Sequence, residues 1–280
     1  MVHVFNSLDC NQVMQIKLFL REQFHQTADL DEYIKEVNMY YEGEMEPYYL
    51  GMSQDGITGL LILDAIKENC AYGRVFTKDN NFLKELKKIF SSNAIEKLYV
   101  ETQEFLPEVV NLHFDYAEYM MTLFPEGLDV TLTNQTNELI GQDASISLIP
   151  VTYKDKKFYE NILKDQHRMS QEDAKERFES LLIDKAMHGF LVWLDRLKPI
   201  GICAYYEDST FLTLFDLTIL PNYQNKGYGK AMLLKLLSQT RSKQVKYLLQ
   251  VTSTNTFAFH MYQQAGFHIT QQQLYYEFEV

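Results

Sequence analysis

Between Asp216 and Leu233 the chain reads DLTILPNYQNKGYGKAML, and that order of residue types leaves little conformational choice. Leu217, Thr218, Ile219 and Leu220 form a short apolar run suited to a strand. Pro221 ends it, because its ring fixes φ and removes a backbone donor. Gln224, Asn225, Lys226, Gly227, Tyr228 and Gly229 turn the chain. A helix-like stretch follows, with Met232, Leu233, Leu236 and Leu237 on one apolar face. A strand that feeds a glycine turn at a helix N-terminus makes an anion cradle. Glycine removes the Cβ that would keep a phosphate from the backbone N–H groups, and the helix dipole adds partial positive charge.

The spacing narrows the ligand. A phosphate loop of the G-x-x-x-x-G-K-[ST] type and a dinucleotide fingerprint G-x-G-x-x-G are both absent; what stands is Q-x-x-G-x-G. A second segment, Asn255 to Phe267, reads NTFAFHMYQQAGF. Asn255 is a good N-cap, the apolar residues fall at helical spacing, and Gly266 suits a left-handed stop. The two segments flank a strand-like run, VKYLLQV, from Val245 to Val251.

Together they resemble the two signatures of the GCN5-related N-acetyltransferase (GNAT) superfamily, [Q/R]-x-x-G-x-[G/A] and N-x-x-A-x-x-[LM]-Y-x-x-x-G-F. The second is matched at Asn255, Ala258, Met261, Tyr262, Gly266 and Phe267. The resemblance implies an α/β (α+β) acyl-CoA N-acyltransferase fold, a mixed central sheet flanked by helices, with acetyl-CoA as co-substrate and no metal. Amides from Gln224 through Asn225, Lys226, Gly227, Tyr228 and Gly229 to Lys230 would hold the pyrophosphate. The backbone at Leu217, Thr218 and Ile219 would pair with the pantetheine arm in a gap between splayed strands and donate to the thioester oxygen. Asn255, with Ala258 of the same signature, would line the arm. Tyr262 is the implied general acid for the CoA thiolate, and Lys226 offsets phosphate charge.

Acyl transfer to an amine also needs a group to take the ammonium proton. Asp216 is the leading candidate, with Glu207 and Asp208 near strand ends and an ordered water as alternatives. Asp216 and Thr218 share one strand face, opposite Leu217 and Ile219. Phe190, Trp193, Tyr205 and Tyr206 are candidates to line the acceptor pocket, built from the segment Lys157 to His188. No CxxC pair, HExxH helix or GxSxG elbow occurs, so zinc chemistry and a serine elbow are not indicated. The acceptor implied is a primary amine of a small molecule or peptide. The competing reading is a non-catalytic acyl-CoA-binding or regulatory protein.

The chain has 280 residues and 46% hydrophobic composition, enough for one large or two ordinary cores. The net charge of −12 argues against nucleic acid as a main partner. No apolar run approaches a membrane-spanning length, and the first ten residues lack a basic n-region before an apolar stretch. Cys10, Cys70 and Cys203 are odd in number and far apart, fitting reduced thiols in the cytoplasm.

The polar segment Asn134 to Ser147 reads as a linker or a linking strand between two halves, with a boundary near Gly141, giving domains 1–140 and 141–280. The C-terminal half shows the element order β-α-α-β-β-β-α-β-α-β, with strands at Ile146–Val151, Gly189–Leu194, Pro199–Glu207, Phe211–Leu220 and Val245–Val251 and a closing strand at Gln273–Val280. The N-terminal half repeats the order: three strands from Tyr48 to Thr77, a helix at Asn81–Phe90, a strand at Lys97–Thr102 and a helix at Glu108–Phe124. It resembles a second acetyltransferase-like domain, but its loop reads TKDNN. Without glycine, and with Asp79 where pyrophosphate would sit, it is expected to be degenerate and not to bind CoA. A scaffold role, closing the acceptor cleft or mediating a homodimer, is compatible with either function.

Overall fold

A computed structural model of the chain describes residues 1–24, 30–41, 43–127, 146–243 and 245–280. Two compact units emerge, one of Met1–Glu118 with Gln271–Val280, the other of Tyr119–Thr270. The mid-chain boundary near Gly141 lies outside the described residues.

In the second unit the strands are β7 (Ile146–Pro150), β8 (Met187–Leu194), β9 (Lys198–Glu207), β10 (Phe211–Ile219) and β11 (Lys246–Thr252), in the sheet order β11-β10-β9-β8-β7. Only β10 and β11 run parallel; the remaining pairs are antiparallel. The helices α4 (Lys156–His167) and α5 (Gln171–Ile183) cover one face. There Tyr159, Ile162, Leu163, Phe178 and Leu181 pack on Leu191, Ile202 and Ala204. The opposite face is covered by α6 (Tyr228–Thr240) and α7 (Thr256–Gln264). Met232, Leu233, Leu236 and Leu237 of α6 join Leu212, Leu214, Ile219, Tyr247 and Leu249 in its core. The apolar spacing read from the sequence therefore marks the buried stripe of α6.

The first unit orders β1 (Val2–Phe5), β2 (Tyr48–Ser53), β3 (Gly56–Lys67), β4 (Cys70–Thr77) and β5 (Lys97–Thr102) in sequence, and β12 (His268–Glu279) lies next to β5. Helices α1 (Cys10–Phe24) and α2 (Leu30–Tyr40) place Ile16, Leu20, Ile34 and Val37 on Tyr48, Leu50, Leu60 and Ile62. Helix α3 (Asn80–Ser92) buries Phe82, Leu83, Leu86 and Phe90.

Two expectations are corrected. The segment expected to be a helix at Glu108–Phe124 is a strand, β6 (Leu112–Leu123). That helix, which would carry Ala117 and Tyr119, belongs to the repeated element order of the two halves. Alternation wins instead: Ala117 is buried while Tyr116 and Glu118 are half-exposed, and the run is rich in aromatics that favour a pleated surface. The closing strand also does not complete the C-terminal half. Leu274 to Glu279 pair antiparallel with Thr102 to Lys97, within the first unit. Leu274, Tyr276 and Phe278 are buried there, and Lys97 Nζ lies 2.6 Å from Glu277 Oε1 on the opposite face.

Since Phe278 is 1% exposed, Phe278→Ala is expected to lower stability by about 3–5 kcal/mol. Urea denaturation checks this; a loss below about 1 kcal/mol would contradict the docking of β12.

Candidate active site

The site grows from an irregularity in β10. Phe215 pairs with Ala204, but the next pairs are Thr218 with Ile202 and Ile219 with Gly201, so β10 carries one extra residue. Asp216 sits in that bulge with φ of 53°, a left-handed conformation tolerated by Asp better than by most residues. The bulge shifts the alternation. Leu212 and Leu214 belong to the α6–α7 core before it, and Leu217 and Ile219 pack there after it. Phe215 packs on the α4–α5 side, and so do the polar contacts of Asp216 and Thr218. The predicted shared face of Asp216 and Thr218 is therefore present. Gly201 makes the arrangement possible: a Cβ there would stand 2.2 Å from the Thr218 carbonyl oxygen.

Before it reaches the bulge, β10 leaves its parallel neighbour. The pairs with β11 run from Phe211–Lys246 to Thr213–Leu248, although β10 continues to Ile219 and β11 to Thr252. Leu217, Thr218 and Ile219 thus lie on the parted stretch, as expected for a strand that offers its backbone to a ligand.

The loop after it is exposed from Gln224 to Gly227. Gln224 Nε2 donates to the Ile219 carbonyl at 2.8 Å, and Lys226 Nζ donates to the Asn222 carbonyl at 3.0 Å. Asn225 (φ 58°) and Gly227 (φ 81°) are both left-handed, and Gly227 is the N-cap of α6. A glycine cap has no side chain to satisfy the first helical N–H groups, so the positive end of the dipole faces outward. The residues present therefore fit a pyrophosphate group.

The second signature lies against the first. Asn255 caps α7, its Oδ1 accepting from the Ala258 N–H at 3.2 Å. A Cβ on Gly229 would meet Met261 Sδ at 3.5 Å, so the first turn of α6 faces α7 one residue before Tyr262. Tyr262 is 5% exposed, and burial pushes its phenol up to about 12.

The general-base candidates separate sharply. Glu207 and Asp208 lie at the β9–β10 hairpin, the paired end of β10 rather than the parted end. Glu207 is held by Lys243 and by His188 at 3.4 Å, and the Lys243 contact draws its pKa down. Asp208 accepts from the Thr210 N–H at 3.0 Å and from the Ser209 and Thr210 hydroxyls, which also draw its pKa down. Asp216 is 6% exposed. Its Oδ2 accepts from the buried Tyr159 hydroxyl at 3.1 Å, and Oδ1 lies 3.8 Å from Arg177 Nη1. Burial raises its pKa, opposed by Arg177, His167 and the Tyr159 hydrogen bond.

Sequence reasoning missed Tyr159, His167, Arg177 and Gly201. The polar residues come from α4 and α5, which no signature marks. Of the aromatic candidates, Phe190 and Tyr205 pack on the α6–α7 side and Trp193 on the α4–α5 side, while Tyr206 is 38% exposed.

Comparison with known proteins decides the family of this region. The model of the acetyltransferase (GNAT) family matches residues 156–267, opening at the first residue of α4 and closing on the Gly266–Phe267 pair. Residues 156–267 form a GNAT domain. A [ribosomal protein bS18]-alanine N-acetyltransferase of Haemophilus influenzae is 44% identical over 79 residues, 28% of this chain and 52% of that protein. Its counterpart in Haemophilus ducreyi is 34% identical over 84 residues, 29% of this chain and 57% of that protein. The chain thus spans little more than half the length of these relatives. A GCN5-related N-acetyltransferase from Sphaerobacter thermophilus is similar in structure over 100% of this chain and 95% of its own, with a TM-score of 0.56 and 12% identity. A GNAT-family acetyltransferase from Colwellia psychrerythraea aligns over 99% of both chains, with a TM-score of 0.51 and 11% identity. At such identities the likeness concerns the fold, and the fold it shows is that of GNAT proteins.

The GNAT domain's buried carboxyl has a measurable signature. Asp216→Ala would strand the Tyr159 hydroxyl and is expected to cost about 1–3 kcal/mol, whereas Asp216→Asn keeps an acceptor and costs less. A raised folded-state pKa means that the proton is held more tightly by the folded chain. The stability this confers is full below the unfolded value of about 4 and is lost as pH rises through the raised value. Urea titrations across that range should show this decline in the wild type and its loss in Asp216→Asn.

Proposed function

We propose that the chain is an acetyl-CoA-dependent N-acetyltransferase acting on a primary amine of a small molecule or peptide. One observation carries the reading. Strands β10 and β11 part after Thr213 and Leu248, beside a helix whose N-cap is a glycine with no capping side chain. An extended arm ending in a pyrophosphate suits that pair of features: the arm finds unpaired strand backbone, and the diphosphate finds outward N–H groups. The names of the Haemophilus relatives, which acetylate the alanine of a ribosomal protein, support an amine acceptor.

In this reading the amides from Gln224 to Lys230 hold the pyrophosphate. The backbone of Leu217 to Ile219 pairs with the pantetheine arm and donates to the oxygen that gains charge in the transition state. Asn255 offers the amide nitrogen that its cap does not use. Tyr262 remains protonated throughout the physiological range and donates a hydrogen bond to the departing sulfur. A phenol near 12 is a far weaker acid than a thiol, so it stabilises the thiolate without surrendering its proton. The chain supplies orientation and hydrogen bonding, and no covalent enzyme intermediate is needed.

The N-terminal unit takes a non-CoA-binding role in this proposal. Its α3 is capped by Asp79, whose carboxylate accepts from the Asn81 N–H at 2.9 Å and puts negative charge at the helix N-terminus.

The deciding experiment measures acetyl-CoA binding by calorimetry and thiol release with three amines: an alanine-started peptide, a lysine side-chain peptide with blocked ends, and spermidine. One site per chain and release with at least one amine are expected. Binding without release from any amine favours the non-catalytic reading. Replacing Gly227 with Trp is expected to abolish binding while circular dichroism stays unchanged, because its φ of 81° and open approach are both lost. Tyr262→Phe should lower kcat by about 10²-fold with acetyl-CoA affinity nearly unchanged. Equal turnover would reduce Tyr262 to a packing residue.

A further inference from the structure

His167 ends α4 and belongs to neither signature. Its Nε2 lies 2.7 Å from Oγ1 of Thr218. Thr218 stands between Leu217 and Ile219, on the stretch of β10 that has left β11. His167 keeps solvent access as a residue, and its ring is part-buried where it is fastened to the strand segment that would carry the thioester. Asp216 is the reverse case. It is 6% exposed, one oxygen is bonded to Tyr159, and the other faces Arg177, whose guanidinium also lies 5.0 Å over the Phe215 ring. An ammonium could reach it only by displacing those partners.

We propose that His167 takes the proton of the attacking amine, and that Asp216, locked by Tyr159 and Arg177, is a positioning residue behind it. The inference rests on the acetyl-transfer reading. The tautomer this proposal requires has Nε2–H donating to the Thr218 hydroxyl and the lone pair on Nδ1. The amine nitrogen bonds to the thioester carbon, the carbon–sulfur bond breaks, and its electron pair leaves on the sulfur. The ammonium proton passes to His167 and then to water.

The groups acting on the ring are Thr218, which it touches, and the charges of Asp216 on β10 and Arg177 on α5. Burial of its inner edge and the Arg177 charge draw the imidazole below its ordinary value, while Asp216 pulls it back up. That lowering favours the neutral ring, the form able to accept a proton.

The test compares wild type, His167→Gln, His167→Ala and Asp216→Asn with acetyl-CoA and the three amines above. His167→Gln should bind acetyl-CoA within about threefold of wild type and lose about 10²–10⁴-fold in kcat. The acid limb of kcat/KM, below about pH 6.5 in wild type, should vanish with it. Added imidazole should restore part of the rate to His167→Ala. Asp216→Asn should keep the limb and move it to lower pH, because the carboxylate that raises His167 is gone. A limb lost in Asp216→Asn and kept in His167→Gln would overturn the assignment in favour of Asp216. So would a His167→Gln rate within about threefold of wild type. A wild type that binds no acetyl-CoA, or binds it and releases no thiol with any amine, overturns the transferase reading and this proposal with it.

Discussion

One additional residue in β10 governs the second unit. Leu212, Leu214, Leu217 and Ile219 all face the α6–α7 core, and the step from 214 to 217 is three residues rather than two. An unbulged strand cannot satisfy that spacing. It would drive the Asp216 carboxylate and the Thr218 hydroxyl into the apolar core and turn Leu217 and Ile219 toward the polar network. The left-handed φ of Asp216 costs about 1–2 kcal/mol, far less than burying an unpaired carboxylate. Tyr159 and Arg177 then hold the distorted residue, and Gly201 leaves room for the Thr218 carbonyl.

The bulge also bends β10, since an extra residue sharpens local twist. Three residues, Phe211 to Thr213, stay in register with β11, and the strands have separated by the time β10 reaches the bulge. The glycine loop follows within a few residues, so strand backbone and helix N-terminus open on the same stretch of chain. The polar cluster on one face and the ligand-shaped gap at the strand edge therefore share one short stretch of β10. The bulge also explains why Asp216, the carboxylate nearest the gap in sequence, is poorly suited to proton transfer: its oxygens are committed to maintaining the bulge.

The sequence made the punctuated segments legible. Pro221, Gly227 and Asn255 mark their boundaries by backbone chemistry alone, and the helix bounds at Gln171–Ile183 and Tyr228–Thr240 follow from caps and apolar spacing. The bulge was also written there, in the Leu214–Leu217 step, but alternation was applied only after it. Tyr159, His167 and Arg177 were illegible for a different reason. Their partners are 57, 51 and 39 residues away in the chain, and one-dimensional periodicity carries no information about such contacts. Glu108–Phe124 failed because its helix rested on the element order of the C-terminal half, whereas Ala117 and Tyr119, two residues apart, share a face only on a strand. The partner of β12 failed because strand pairing is non-local.

The first unit shows what the same elements do without the bulge in the equivalent strand. Its extra residue lies in β3, between Leu63 and Ala65, and β4 is left regular. Strands β4 and β5 accordingly pair from Cys70–Lys97 to Arg74–Glu101, nearly the whole of β5. Arg74 and Glu101 form an ion pair across the last of these rungs, where the second unit has already opened. Helix α3 then starts with its dipole answered by Asp79. The longer ladder leaves less backbone for a ligand arm, and the aspartate cap answers donors that an anion would need. These are separate physical losses, and restoring one would not restore the other. A glycine loop grafted in place of TKDNN would still follow a strand paired to its parallel neighbour over five rungs rather than three, so the contrast between the units lies in the sheet as well as in the loop.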